Sequence, residues 1–164
     1  MKKIFIVLLS LTLTIGISAC SPNDSLPTPE IPEQPNVDNP DTEPTDSDNM
    51  IIKIGSSTFT ATFINNATAK AFKALLPMTI NMNELNGNEK YYDLPNTLPT
   101  EPSSPGTIRN GDIMLYGSKT LVLFYKTFSS SYSYTYIGRV DNPSELGVAL
   151  GSGNISITFE QIKK

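Results

Sequence analysis

Apolar and polar residues alternate along short stretches of the chain from about Met50 onward. Residues 58–63 and 155–159 place an apolar side chain at every second position, and residues 78–85 begin in the same way. Successive side chains of a β-strand point to opposite faces, so this pattern predicts strands with one buried face. Residues 121–125 are continuously apolar, which predicts a central strand buried on both faces.

Turn-forming residues separate these stretches. Asn86-Gly87 predicts a hairpin because both residues tolerate positive φ. Asn110-Gly111 predicts a turn that leads into a strand at residues 113–116. Residues 94–106 contain four prolines and predict a long ordered loop. Residues 134–140 predict a further strand.

Two short helices are predicted between the strands. Asn66 is a suitable N-cap for the first, whose apolar positions recur at helical spacing before Pro77 ends it. The second has Asn142 as its predicted N-cap, Pro143 in the first helical position and Gly151 at its end. About eight strands and two helices predict a mainly β fold, a closed or half-closed β-barrel with helical covers.

The first twenty residues have a different pattern. Lys2 and Lys3 precede an almost wholly apolar run that ends in Ile-Ser-Ala-Cys at Cys20. This predicts a signal peptide over residues 1–19, and its ending resembles the lipobox of bacterial lipoproteins. The resemblance implies a lipid on the sulfur of Cys20. The alternative is an ordinary cysteine after an ordinary signal, but Cys20 is the only cysteine, and a free exposed thiol is a liability in an exported protein.

Composition divides the rest of the chain into two parts. Residues 20–49 hold seven of the thirteen prolines and eight carboxylates without a basic side chain, which predicts a disordered stalk after the lipidated cysteine. Residues 50–164 hold ten basic and eight acidic residues and suit one domain. A net charge of +2 without a basic patch makes a nucleic-acid partner improbable.

Three stretches of the domain resemble the bacterial cyclophilin-like domain family. They are TATFINNATAKAFKALLPMTINMNEL at 60–85, GNEKYYDLP at 87–95 and NGDIMLYGSKTLVLFYKTFSSSYSYTYIGRV at 110–140. The resemblance implies a cyclophilin-like closed barrel of about eight strands with two short covering helices. It implies no activity, because that of the family is largely undefined.

The chemistry that the sequence lacks restricts its function. The chain has no histidine and no tryptophan, so it contains neither a Ser-His-Asp triad nor a histidine-ligated metal site. No phosphate-binding or dinucleotide-binding motif occurs, so we predict no catalytic residues, no metal and no cofactor. A divergent peptidyl-prolyl isomerase is the alternative. Its arginine would have to be Arg109 or Arg139, and neither has the Phe-His-Arg setting of cyclophilins.

Aromatic residues are the candidates for a binding surface. Residues 127–136 mix tyrosine and phenylalanine with small hydroxyl residues, a composition suited to recognition. The alternative is a solvated face of one strand. The candidate ligand-binding residues are Tyr92, Phe128, Tyr134, Tyr136 and Arg139. An aromatic pocket larger than about 300 Å³ would favour a ligand-binding protein over a scaffold.

The sequence therefore predicts a membrane-anchored protein of the bacterial cell envelope, held by lipid at Cys20. Ser21 follows the cysteine, which favours the outer membrane or cell surface over the inner membrane. We expect a monomer that binds a small ligand, a peptide or another envelope protein.

Overall fold

The computed structural model describes residues 48–162. The signal peptide, Cys20 and nearly all of the stalk lie outside them, so those predictions stay predictions. Neither helix among the described residues is long and apolar enough to cross a membrane.

The domain is built from ten strands and two helices. In chain order the elements are β1 (Asn49–Ile54), β2 (Ser57–Phe63), α1 (Ala67–Lys73), β3 (Met78–Leu85), β4 (Glu89–Asp93), β5 (Gly106–Ile108), β6 (Asp112–Tyr116), β7 (Thr120–Phe124), β8 (Phe128–Ser130), β9 (Tyr134–Val140), α2 (Leu146–Leu150) and β10 (Ile155–Gln161).

Eight of the strands form a closed antiparallel barrel in the order β1-β10-β3-β4-β7-β6-β9-β2. This confirms the predicted fold class, a mainly β closed barrel of eight strands with two short helices. β5 and β8 were not predicted as strands. They pair with each other as a separate two-stranded sheet, in which Ile108 faces Phe128.

The alternating side chains fill the barrel as predicted. Ile52 of β1, Met82 of β3 and Phe159 of β10 are wholly buried in one apolar core. Both helices contribute to it, because Phe72 of α1 meets Phe159 edge to face at 5.8 Å between ring centres, and Leu146 of α2 is buried in the same cluster. Burial of this apolar surface is the main force that stabilises the fold.

The predicted Asn86-Gly87 turn and the first helix cap are confirmed. Asn86 and Gly87 both have positive φ, 55° and 67°, as a tight hairpin between β3 and β4 requires. The side chain of Asn66 accepts a hydrogen bond from Ala69 N at 2.7 Å and so caps α1.

The predicted start of the second helix is wrong. α2 begins at Leu146; Asn142 and Pro143 lie outside any helix, and Ser144 and Glu145 form a turn before it. Asn142 does not cap the helix. Its Oδ1 accepts instead from Ser144 Oγ at 3.1 Å, so the side chain closes a local turn. The predicted end is confirmed at Gly151, whose φ is 59°.

Candidate functional site

A groove of about 570 Å³ opens on the outer face of the barrel. Its floor consists of four adjacent barrel strands, β4, β7, β6 and β9, and β8 with the following loop forms one wall. The turn between β3 and β4 closes one end. A cleft of this size falls within the usual range of small-ligand sites.

Five of the fifteen residues that line this groove are aromatic. Tyr116 of β6 is central among them, because its ring centre lies 6.1 Å from that of Tyr132 and 5.6 Å from that of Tyr134. Tyr132 is the most exposed, with 62% of its surface accessible. The aromatic lining consists of Tyr91, Tyr116, Phe128, Tyr132 and Tyr134. Such rings can stack on planar or apolar groups and attract cations.

A second apolar cluster supports the groove from beneath. Ile108, Met114 and Phe124 are wholly buried in it, outside the main barrel core. Ile108 belongs to β5, so the two-stranded sheet covers apolar side chains on the outer face of the barrel. Phe124 packs against Tyr134 at 5.5 Å and Phe128 at 5.8 Å, which holds both rings in place.

Two carboxylates of β4 line the same groove. Alternation along β4 directs Glu89, Tyr91 and Asp93 outward, whereas Lys90 between them is buried. Asp93 accepts a hydrogen bond from Thr120 Oγ1 at 2.6 Å. Burial, together with the nearby charge of Glu84, raises the pKa of Glu89 above its usual value.

Asn88 adds a further polar group to the groove wall. Its side-chain Oδ1 is shut off from solvent and accepts no hydrogen bond from any other part of residues 48–162. A buried polar atom without a partner is costly, so Asn88 lowers the stability of the domain at this wall.

The predicted site residues fall in different places. Phe128 and Tyr134 come together in the groove, where Tyr134 is nearly buried. Tyr92 packs against the main barrel core and does not line the groove.

Tyr136 and Arg139 lie instead at a buried carboxylate, that of Asp112. Arg139 Nε is 3.6 Å from Asp112 Oδ1, Arg109 N donates to Asp112 Oδ2 at 2.8 Å, and the hydroxyl of Tyr136 bonds to the same side chain. Burial raises the pKa of Asp112 in spite of these bonds. These side-chain contacts link β6, which carries Asp112, to β9, which carries Tyr136 and Arg139.

A buried ionic network lies on the other side of β4. The ammonium of Lys90 is inaccessible to solvent and forms an ion pair with Glu84. It also donates to the carbonyl oxygens of Gly151 at 2.9 Å and Gly153 at 2.6 Å. Tyr125 donates to Glu84 at 2.7 Å. Burial tends to raise the pKa of Glu84, but the hydrogen bonds from Lys90 and Tyr125 outweigh it and lower that pKa.

Sequence reasoning missed the polar part of the groove. Glu89, Asp93 and Asn88 were not singled out, and neither was Tyr116. The signal was present in the alternation of β4, which places two carboxylates and a tyrosine on one face. What the sequence did not show is that β4 lies beside the β8–β9 segment in space.

The described residues contain no group of three or more acidic, histidine or cysteine side chains placed to hold a metal ion. Both arginines of the chain lie away from the groove lining. The described part of the chain therefore offers the groove aromatic rings, hydroxyls and carboxylates, with no basic side chain.

Comparison with known proteins identifies the fold and the family. The chain is similar to the solution structure of a hypothetical protein from Archaeoglobus fulgidus, with a TM-score of 0.54 and 18% identity. The similarity covers 74% of this chain and 99% of the archaeal one, and at this identity it shows the fold alone. No curated protein matches the sequence.

The model of the cyclophilin-like family matches residues 52–160, which spans all of the barrel except the ends of its first and last strands. The chain therefore belongs to the cyclophilin-like family.

Proposed function

We propose that this protein is a lipid-anchored binding module of the bacterial cell envelope, and that the outer groove of its barrel holds the ligand. The groove is the observation that supports a binding role. It has the volume of a ligand site, aromatic rings in its walls and two carboxylates in its lining.

The energetics of the groove agree with such a role. Glu89 is held partly buried at the cost of a raised pKa, and Asn88 Oδ1 is buried without a partner. Each arrangement lowers the stability of the free domain. Sites that bind or react commonly carry such local costs, because a ligand compensates them when it arrives.

The proposed anchor rests on the sequence, since Cys20 lies outside the described residues. A lipid at Cys20 would attach the protein to a membrane, and the stalk would hold the barrel away from it. The expected location is the outer membrane or the cell surface, and the expected state is a monomer.

No observation favours the isomerase alternative. An isomerase must stabilise a twisted peptide bond more than the planar ground state, and cyclophilins use an arginine for this. Arg109 is exposed and Arg139 is paired with Asp112, both away from the groove.

The groove can be tested with a panel of small compounds followed by heteronuclear NMR. The full chain in an uncharged detergent is titrated with sugars, short peptides, alcohols and amines. We expect at least one class to shift the signals of Tyr116, Tyr132 and Tyr134 in a saturable way. Tyr132→Ala removes an exposed wall of the groove, so we expect it to weaken that binding about tenfold or more, the loss of about 1.4 kcal/mol.

Val148→Ala is the matched control, because Val148 is 79% exposed on α2 and does not line the groove. It should leave binding unchanged. The binding role is wrong if no class of compound shifts the groove signals, or if Tyr132→Ala and Val148→Ala bind equally well.

A further inference from the structure

We propose that the groove recognises an organic cation, a protonated amine carried on an apolar group, which it holds between Glu89, Asp93 and the tyrosine rings. This inference rests on the proposed binding role and adds the class of ligand. It is carried by the charge and the hydrogen-bonding character of the groove, taken together with its shape.

The lining of the groove carries negative charge. Glu89 and Asp93 both line it, and none of its lining residues is a lysine or an arginine. Asp93 has one hydrogen bond, from Thr120. Glu89 receives no side-chain hydrogen bond and no ion pair from other residues within 48–162. Each carboxylate therefore retains capacity to accept from a charged donor.

The ammonium of Lys90 does not neutralise Glu89. Lys90 adjoins Glu89 in sequence, but its side chain points into the barrel and is saturated by Glu84, Gly151 and Gly153. The alternation of β4 thus separates the carboxylate from the cation beside it.

The neutral part of the lining suits the same ligand. The faces of tyrosine and phenylalanine rings carry partial negative charge and attract ammonium groups. Val122, at the floor, and Phe128, in the wall, provide apolar contact for the carbon skeleton that bears the amine. Acceptors and rings together favour a donor-rich cation over an anion.

Three compounds of nearly equal shape separate charge from apolar contact. They are 2-phenylethylammonium, 2-phenylethanol and 3-phenylpropionate, each titrated into the full chain in an uncharged detergent. We expect the ammonium compound to bind at least about tenfold more tightly than the alcohol, a difference of about 1.4 kcal/mol, and the carboxylate to bind least.

Glu89→Gln tests which group provides the preference. It keeps the size of the side chain and removes the charge, so the ammonium compound should lose its advantage while the alcohol binds as before. Glu145→Gln is the matched control, because Glu145 is exposed before α2 and away from the groove. It should leave all three affinities unchanged.

The outcomes distinguish this inference from the proposed function. If the three compounds bind equally, or if Glu89→Gln keeps the preference for the ammonium compound, the cation inference is overturned and the binding role stands. If none of the three binds but another class of compound does, the cation inference is again overturned. If no compound of any class shifts the groove signals, both proposals fail.

Discussion

Glu89 and Lys90 are adjacent in β4, but their side chains lie on opposite faces of the strand and have different environments. Glu89 lies in the outer groove, whereas Lys90 is wholly buried inside the barrel. A buried ammonium is tolerable only when its donors are satisfied. Glu84 and the carbonyl oxygens of Gly151 and Gly153 satisfy those of Lys90, so this side chain ties the loop after α2 to the barrel wall.

We predict that Lys90→Met destabilises the domain strongly. The change leaves the Glu84 carboxylate, which is mostly buried, without its counter-ion. Removing one partner of a buried ion pair typically costs about 3–5 kcal/mol. Chemical denaturation measures the loss directly.

A second variant identifies the cause of that loss. In Glu84→Gln/Lys90→Met neither side chain of the former pair is charged, and the amide oxygen can still accept from Tyr125 and Gly87. The double variant should therefore be more stable than Lys90→Met alone. If it is equally unstable or worse, the loss comes from packing and not from the unpaired charge.

Glu89 should destabilise the free domain at neutral pH. Its pKa is raised in the folded state, so folding favours the protonated form. Below the unfolded pKa of about 4.3 the residue costs nothing, and the cost grows as pH rises through the folded pKa. Glu89→Gln should therefore melt a few degrees above the unmodified chain at neutral pH, and the difference should vanish in acid.

Thermal melting of both chains across the acidic range checks this. Glu145→Gln serves as the comparison, because it removes a carboxylate from an exposed position. A stabilisation by Glu89→Gln that persists unchanged in acid would show that the charge is not its cause.

The two-stranded sheet of β5 and β8 is the element that completes the groove. It lies outside the closed barrel, and each of its strands has three residues. Two strands alone are marginally stable in water, so this sheet depends on Ile108 and Phe128 packing against the outer cluster.

We predict that this sheet opens locally before the barrel unfolds. Its few hydrogen bonds lie near solvent, whereas every barrel strand is paired on both sides. In native-state hydrogen exchange, the amides of residues 106–108 and 128–130 should exchange at least about tenfold faster than those of β7, a difference of about 1.4 kcal/mol.

A groove ligand that contacts β8 should slow the exchange of this sheet and leave that of β1 unchanged. Equal protection of the sheet and the barrel would show that they unfold as one unit.

The sequence predicted elements with a strong local signal. The strands with alternating side chains, the Asn86-Gly87 turn and the Asn66 cap depend on near neighbours, and all three are confirmed. The start of α2 at Leu146 was missed because Asn142 and Pro143 suit a turn as well as a helix.

The groove could not be predicted in full from the sequence, because it is formed by contacts between segments that lie far apart in the chain. Tyr132, Tyr134 and Tyr136 have the spacing of one strand face, but only Tyr134 and Tyr136 belong to β9, and Tyr132 lies in the preceding loop. Phe128 and Tyr134 were placed in the site because they lie close in sequence. Glu89 was missed because β4 reaches the same surface from about forty positions away in the chain.

At the scale of the whole molecule, the sequence predicts a barrel domain attached to a membrane through lipid at Cys20. We predict that Cys20→Ala yields a soluble or uncleaved chain whose barrel still folds, because that residue lies outside the residues matched to the family. Intact-mass analysis of membrane and soluble fractions measures the change. A mature form in the membrane that starts elsewhere and carries an unmodified Cys20 would contradict the anchor.

The order of strands around the barrel places the entry of the chain and the groove on different sides of the domain. The chain enters the barrel at β1, and the groove centres on β7, which lies four strands from β1 whichever way the ring is followed. The entry of the chain and the groove therefore occupy opposite points of the circumference. If the chain is held from its beginning, the attachment meets the barrel on the side away from the groove. A captured molecule would then not have to pass between the barrel and its attachment.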